Sequence, residues 1–173
     1  SKIYLYDTTL RDGSQQEGIS LSVDDKLKIT KKLDEAGISY IEGGWPGSNP
    51  KDEEYFRQVQ KLSLNNSIIV SFGSTRKANS IAQNDANLIS LVESKTQVAT
   101  IVGKTWDLHV TDILNTDLDE GLRMIYDSIA FLKSKGQKVL LDAEHFFDGF
   151  KSNKEYTLQG LQKACAAGVD TIV

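Results

Sequence analysis

The sequence predicts an α/β fold built from repeating strand–helix units, and three observations carry that expectation. Ala36-Gly37-Ile38-Ser39-Tyr40-Ile41 and Ala167-Gly168-Val169-Asp170-Thr171-Ile172 are the same helix-stop, tight-loop, strand-start unit, used twice. Expected strand starts near positions 3, 38, 67, 98, 138 and 170 lie about 33 residues apart, the length of one βα unit. Every expected strand leaves into polar or glycine residues, whereas the strand starts follow plain helix-stop loops. Repeats of this size make either an open doubly wound sheet or a (β/α)8 barrel. No Gly-x-Gly-x-x-Gly follows the first strand, which disfavours a dinucleotide-binding sheet. A TIM barrel needs ~250 residues, and these 173 residues stop as a sixth strand begins. The expectation is one domain over residues 1–173, a TIM barrel truncated to its first five and a half βα units.

In chain order, Ile3, Tyr4, Leu5 and Tyr6 form a short apolar run of the kind that sits in a buried parallel sheet. Ser22-Val23-Asp24-Asp25 reads as a capping box, with Asp in place of the usual Glu. Leu27, Ile29, Leu33 and Ala36 follow at roughly helical spacing, and Gly37 ends that helix in the left-handed cap position. Ile38 to Glu42 is the second strand. Asn49-Pro50 opens a helix with Pro at its first position and Tyr55, Val59 and Leu62 on its inner stripe. Ser67 to Phe72 is a third, β-branched strand, followed by a weakly patterned helix from Ala78 to Leu91 and a fourth strand from Val98 to Val102. Leu118, Leu122, Ile125, Ile129 and Leu132 give the clearest amphipathic helix. Lys138 to Asp142 is strand five, Leu158, Leu161 and Cys165 mark the next helix, and Thr171 to Val173 begins strand six.

Composition narrows the function classes. A net charge of −4 gives no basic surface for nucleic acid or anionic lipid. No run of 18 apolar residues and no signal-like segment is present, so the expectation is a soluble cytoplasmic protein with no membrane partner. The single cysteine excludes an intrachain disulfide, and its place on an inner helix stripe predicts a packed core thiol. His109 and His145 lack metal-ligand spacing relative to each other. His109, in a long polar connection, reads as a surface or loop-packing residue.

In a barrel the C-terminal strand ends converge on one face, where catalysis sits. The residues placed there are Asp7, Arg11, Asp12 and Gln15 after strand one, and Glu42-Gly43-Gly44 after strand two. Gly73-Ser74-Thr75-Arg76 follows strand three, Gly103-Lys104 strand four, and Asp142, Glu144 and His145 strand five. Adjacent side chains near a strand end point apart, so at most one of Glu144 and His145 faces the site; Glu144 is favoured. Arg76 is open between a substrate or coenzyme phosphate and a surface salt bridge. Trp45 and Trp106 read equally as a roof over the barrel or as substrate contacts. Lys138 starts its strand, which places it on the stability face.

Tyr6-Asp7-Thr8-Thr9-Leu10-Arg11-Asp12-Gly13-Ser14-Gln15, with Ile41-Glu42-Gly43-Gly44-Trp45-Pro46 thirty residues on, resembles the DRE-TIM metallolyase superfamily of 2-isopropylmalate, homocitrate and citramalate synthases and 3-hydroxy-3-methylglutaryl-CoA lyase. Phe72-Gly73-Ser74-Thr75-Arg76, Gly103-Lys104-Thr105-Trp106-Asp107-Leu108-His109-Val110 and Asp142 to Phe150 are similar to the citramalate synthase branch in particular. The resemblance implies a Claisen-type condensation of acetyl-CoA with an α-keto acid, most simply pyruvate, followed by thioester hydrolysis, in branched-chain amino acid biosynthesis. It implies a divalent metal ion (Mg2+, Mn2+ or Zn2+) with Asp12 as one ligand. It places Arg11 beside the developing alkoxide and Glu42 as the carboxylate that orients Arg11. Glu144 would take part in proton transfer from the acetyl-CoA methyl group, its pKa raised in a partly dry pocket. Arg11, Gln15 and Asp142 would contact substrate, and the parent enzyme would be a homodimer. The family's remaining metal ligands, a His-x-His pair and an asparagine, do not occur in this chain. Isopropylmalate synthase, the lyase, and a non-catalytic α/β binding module stay open as alternatives.

Overall fold

The computed structural model describes residues 3–173. Six parallel strands lie in sequence order: β1 (Tyr6–Asp7), β2 (Tyr40–Gly44), β3 (Ile68–Ser74), β4 (Val98–Val102), β5 (Lys138–Asp142) and β6 (Thr171–Ile172). They alternate with α1 (Val23–Glu35), α2 (Pro50–Val59), α3 (Ala86–Glu93) and α4 (Leu118–Ser134), then a short α5 (Phe146–Ser152) and α6 (Lys154–Ala166). The result is a curled part-barrel, as the repeat predicts.

Strand alternation divides the side chains into two cores. Ala99, Ile101, Val139 and Leu141 face outward onto Ile125, Ile129 and Leu132 of α4. Val70, Val98 and Leu140 face inward with Tyr6, Tyr40 and Ile68. A third cluster joins Ile41 to Leu10 and to Tyr55, Phe56 and Val59 of α2. Every α-helix start except that of α5 is capped by a polar side chain, as a start before an apolar stripe requires. Ser22 and Asp25 form the full capping box of α1, and Asn49 accepts from Asp52 N with Pro50 at the first helical position of α2.

The exit of β2 depends on two glycines. The β2–β3 register slips between Glu42 and Gly44, which makes Gly43 the extra residue of a bulge. A Cβ on Gly43 would lie 2.3 Å from Tyr55 Cε1. Gly44 has φ 149°, and a Cβ there would lie 2.6 Å from Asp52 Oδ2. Asp52 is itself held by buried Lys26 at 2.6 Å and accepts from Trp45 N at 2.9 Å, so α1, α2 and the β2 exit are tied at one point.

Four expectations need correction. The run from Ile3 to Leu5 is exposed, and only Tyr6–Asp7 is strand. β1 is an edge of the described sheet with β2 as its one partner, although Leu5 O still accepts from Ser39 N and Tyr40 N. The segment from Ala78 is loop and a single 3-10 turn, and α3 begins only after the Asp85 cap. Cys165 is exposed; the buried stripe of α6 is Tyr156, Thr157, Gly160 and Ala164, because small and hydroxyl residues let this helix approach the β4 exit closely. Arg76 is neither at the surface nor free for an anion, as described below.

Candidate active site

The site is built from inward-facing positions that run along the strands from their starts to their exits. Tyr40 and Glu42 on β2, Val98 and Thr100 on β4, and Lys138, Leu140 and Asp142 on β5 all line one trough of about 720 Å³, and Arg11 reaches into it from the loop after β1. Two residues past Asp142 comes Glu144, and two past Val102 comes Lys104, so the same alternation turns both toward the rim. There Arg11, Gln15, Trp45, Phe72, Lys104 and Glu144 line a second cavity of about 550 Å³. Arg11 belongs to both spaces.

Arg11 is fixed from several sides. Its Nε donates to Glu42 Oε1 at 2.5 Å, its Nη1 to Asp12 Oδ1 at 3.2 Å, and its guanidinium carbon lies 3.8 Å from the Phe72 ring centroid. Glu42 is buried, and its other oxygen accepts from the Tyr6 hydroxyl at 2.5 Å. That hydroxyl is also 2.7 Å from Thr100 Oγ1, across the inner face of the sheet. Burial pushes the Glu42 pKa up, while the hydrogen bond from Tyr6 and the charge of Arg11 pull against it. Burial, then the charge of Glu42, raises the Tyr6 pKa, so this phenol stays a donor. The chain Thr100–Tyr6–Glu42–Arg11 therefore presets the guanidinium before any ligand arrives.

Asp12 stands at the N-cap of the 3-10 turn Gly13–Gln15 and its side chain is 64% exposed. A solvent-facing carboxylate with one arginine contact fits a hard-cation ligand in kind. Among the described residues no group of three or more His, Cys, Asp or Glu is arranged to hold a metal ion. Gln15 is exposed on the rim cavity.

Of the two carboxylates at the β5 exit, Glu144 differs from expectation in sign. Asp142 is half-buried, and burial followed by the charge of Glu144 raises its pKa. Glu144 is paired with Lys104, and that hydrogen bond outweighs burial and lowers its pKa. The expected raised value thus belongs to Asp142, because Glu144 stands at the open rim beside an ammonium. His145 takes a left-handed backbone, φ 56°. Its ring packs against Trp106 and His109, with centroids 5.7 and 4.9 Å away. Glu144 lines the cavity, whereas His145 joins an aromatic cluster. His109 is buried in that cluster, in a turn of π-helix over His109–Ile113, and burial lowers its pKa.

Arg11 contacts both Asp12 and Glu42, Gln15 and Glu144 share a cavity with Arg11, and Asp142 lines the adjoining trough. Sequence reasoning left out Tyr6, Phe72 and Thr100 as site residues and put Lys104 at the β4 exit without a role. The first three lie on the inward alternation of β1, β3 and β4, which was the available signal. Arg76 turns outward to the helix layer instead: it donates to Glu120 of α4 at 2.5 Å and to Asp127 at 2.8 and 3.0 Å.

The chain is 53% identical over 172 residues to an (R)-citramalate synthase of Aquifex aeolicus, covering 99% of this chain and 33% of that protein. It is 31% identical over 171 residues to a 2-isopropylmalate synthase of Sulfolobus acidocaldarius, covering 99% of this chain and 42% of that one. The chain thus spans about a third of the length of the curated citramalate synthases it matches. The crystal structure of a Bacillus subtilis HMG-CoA lyase superposes with a TM-score of 0.75 at 14% identity, over 99% of this chain and 57% of that one, a likeness of fold. The HMGL-like family profile matches residues 2–173, and the chain belongs to that family.

Proposed function

We propose that these residues form the first part of the catalytic barrel of an acyltransferase that condenses acetyl-CoA with pyruvate to give citramalate, in branched-chain amino acid biosynthesis. The observation that carries the reaction class is the preset Arg11, held by Glu42, sharing one cavity with Glu144. The wide gap in identity between the two kinds of synthase supports pyruvate over 2-ketoisovalerate.

The chain's own residues have definable tasks. Arg11 presents a permanent cation where the ketone oxygen turns into an alkoxide, a kind of interaction that costs roughly 2.7–4 kcal/mol when deleted. Glu42 and Tyr6 keep that cation from turning away. Glu144 accepts a proton from the thioester methyl group. Gln15 and Asp142 offer polar contacts on either side of Arg11 for the keto acid. Asp12 would hold a divalent cation, whose chemistry when bound is to polarise the ketone; its other ligands would come from the rest of the barrel. The reading extends to a cytoplasmic, homodimeric parent enzyme.

A panel of keto acids offered with acetyl-CoA to the full-length protein, following free CoA, tests this. Preference for pyruvate is expected. Preference for 2-ketoisovalerate would instead make it an isopropylmalate synthase, and cleavage of 3-hydroxy-3-methylglutaryl-CoA without any condensation would make it a lyase. Residues 1–173 alone are expected to release no CoA.

A further inference from the structure

The pairing of Lys104 with Glu144 poses a chemical problem. An ammonium bonded to a carboxylate weakens it as a base, and Glu144 is lowered in this way. A cation kept there only to pair would oppose the abstraction of a proton from a carbon acid. The mounting is nevertheless rigid. The Lys104 carbonyl accepts from the Tyr156 hydroxyl at 3.0 Å, and the next carbonyl, Thr105, accepts from Thr157 Oγ1 at 2.8 Å. Gly103 N donates to Asp142 O at 2.9 Å, which fixes the two strand ends side by side. Neither side chain is sealed off: 23% of Lys104 and 42% of Glu144 remain exposed, on the cavity that also holds Arg11 and Gln15.

We propose that Lys104 is a catalytic residue, the cation that receives the charge of the thioester enolate when Glu144 takes the methyl proton. This rests on the acyltransferase reading. The methyl C–H bond breaks and its proton goes to the Glu144 carboxylate, while the electron pair moves through the carbon–carbon bond to the thioester oxygen. Glu144 becomes neutral, so Lys104 Nζ loses its partner at the moment an oxygen anion forms within the same cavity. The ammonium then donates to that oxygen, and net charge is conserved. When the enolate carbon attacks the ketone, the pair forms the new carbon–carbon bond and the charge passes to the oxygen beside Arg11. Base and electrophile are thus neighbours just past the ends of β4 and β5, and the resting ion pair keeps both charged and aimed until substrate separates them.

The test uses full-length enzyme carrying Lys104→Met or Lys104→Arg, with Glu144→Gln as reference. Three quantities are read: CoA release, exchange of acetyl-CoA methyl protons in deuterated water, and the acetyl-CoA dissociation constant. Lys104→Met is expected to lose roughly 10²–10³-fold in both release and exchange, with the dissociation constant changed by less than about threefold and Lys104→Arg recovering about tenfold or more. Release and exchange within about threefold of the unaltered enzyme would overturn the proposal. So would a loss confined to acetyl-CoA affinity, which would make Lys104 a coenzyme anchor. If the Met variant does not fold, Lys104→Gln is judged by the same readings. Failure of the unaltered enzyme to release CoA with any keto acid would overturn the acyltransferase reading instead, a result distinct from either.

Discussion

Arg11 and Arg76 leave the exits of β1 and β3, and each meets a buried glutamate at 2.5 Å. Their remaining donors separate them. A guanidinium carries five N–H donors. Arg76 makes four hydrogen bonds, to Glu120, twice to Asp127 and to Lys77 O, and its side chain is 4% exposed. Arg11 makes two, through Nε and Nη1, and among the described residues its Nη2 bonds to nothing. Arg76 is a strut between β3 and α4. Arg11 is held at its root and open at its tip, which is what a substrate-facing cation needs.

The sharpest break of that contrast is Arg76→Met. It leaves Glu120 buried without its main cation, so a loss of about 3–5 kcal/mol is expected in urea unfolding, with turnover per folded molecule unchanged. The acid limb of stability follows. Glu120 is held at about 2, first by the hydrogen bond from Arg76, against an ordinary 4.5. Its folded value is depressed, so its contribution is complete above about 4.5 and is lost as pH falls toward 2. That contribution is worth up to about 3 kcal/mol, and Glu120→Gln should flatten stability against pH in that window. Tyr6→Phe has the smallest effect. It removes the hydroxyl's hydrogen bonds to Glu42 and Thr100, so about 1–2 kcal/mol of stability is expected to go, with a several-fold loss of turnover as Arg11 gains freedom.

How much of this was legible depends on whether the controlling contact is local. β4 and β5 fall where their apolar runs end, at Val98–Val102 and Lys138–Asp142. The Ser22 and Asn49 caps needed only three residues each. Glu42 was legible as the partner of Arg11 through family resemblance, across 31 positions. Arg76 was not, because Glu120 and Asp127 stand 44 and 51 residues away on a helix whose polar face looks solvated in sequence. The pKa of Glu144 went astray for a related reason: Lys104, 40 residues earlier, sets it. Cys165 was assigned to an apolar stripe of which Leu161 does pack against the core, but the fully buried face of α6 runs through Tyr156, Thr157, Gly160 and Ala164 and leaves Cys165 outside. The π-helical turn at His109–Ile113 and the short α5 after left-handed His145 have no periodicity to read.

The central claim is that Arg11 is mounted for chemistry and Arg76 for stability, and one paired measurement addresses it directly. Arg11→Lys in the full-length enzyme keeps a cation beside Glu42 but removes the planar fork. Turnover with acetyl-CoA and pyruvate is expected to fall at least about 10²-fold, while the urea midpoint moves by less than the equivalent of about 1 kcal/mol. Turnover within about threefold of the unaltered enzyme, or a loss of activity that only tracks a loss of folded protein, would contradict the account.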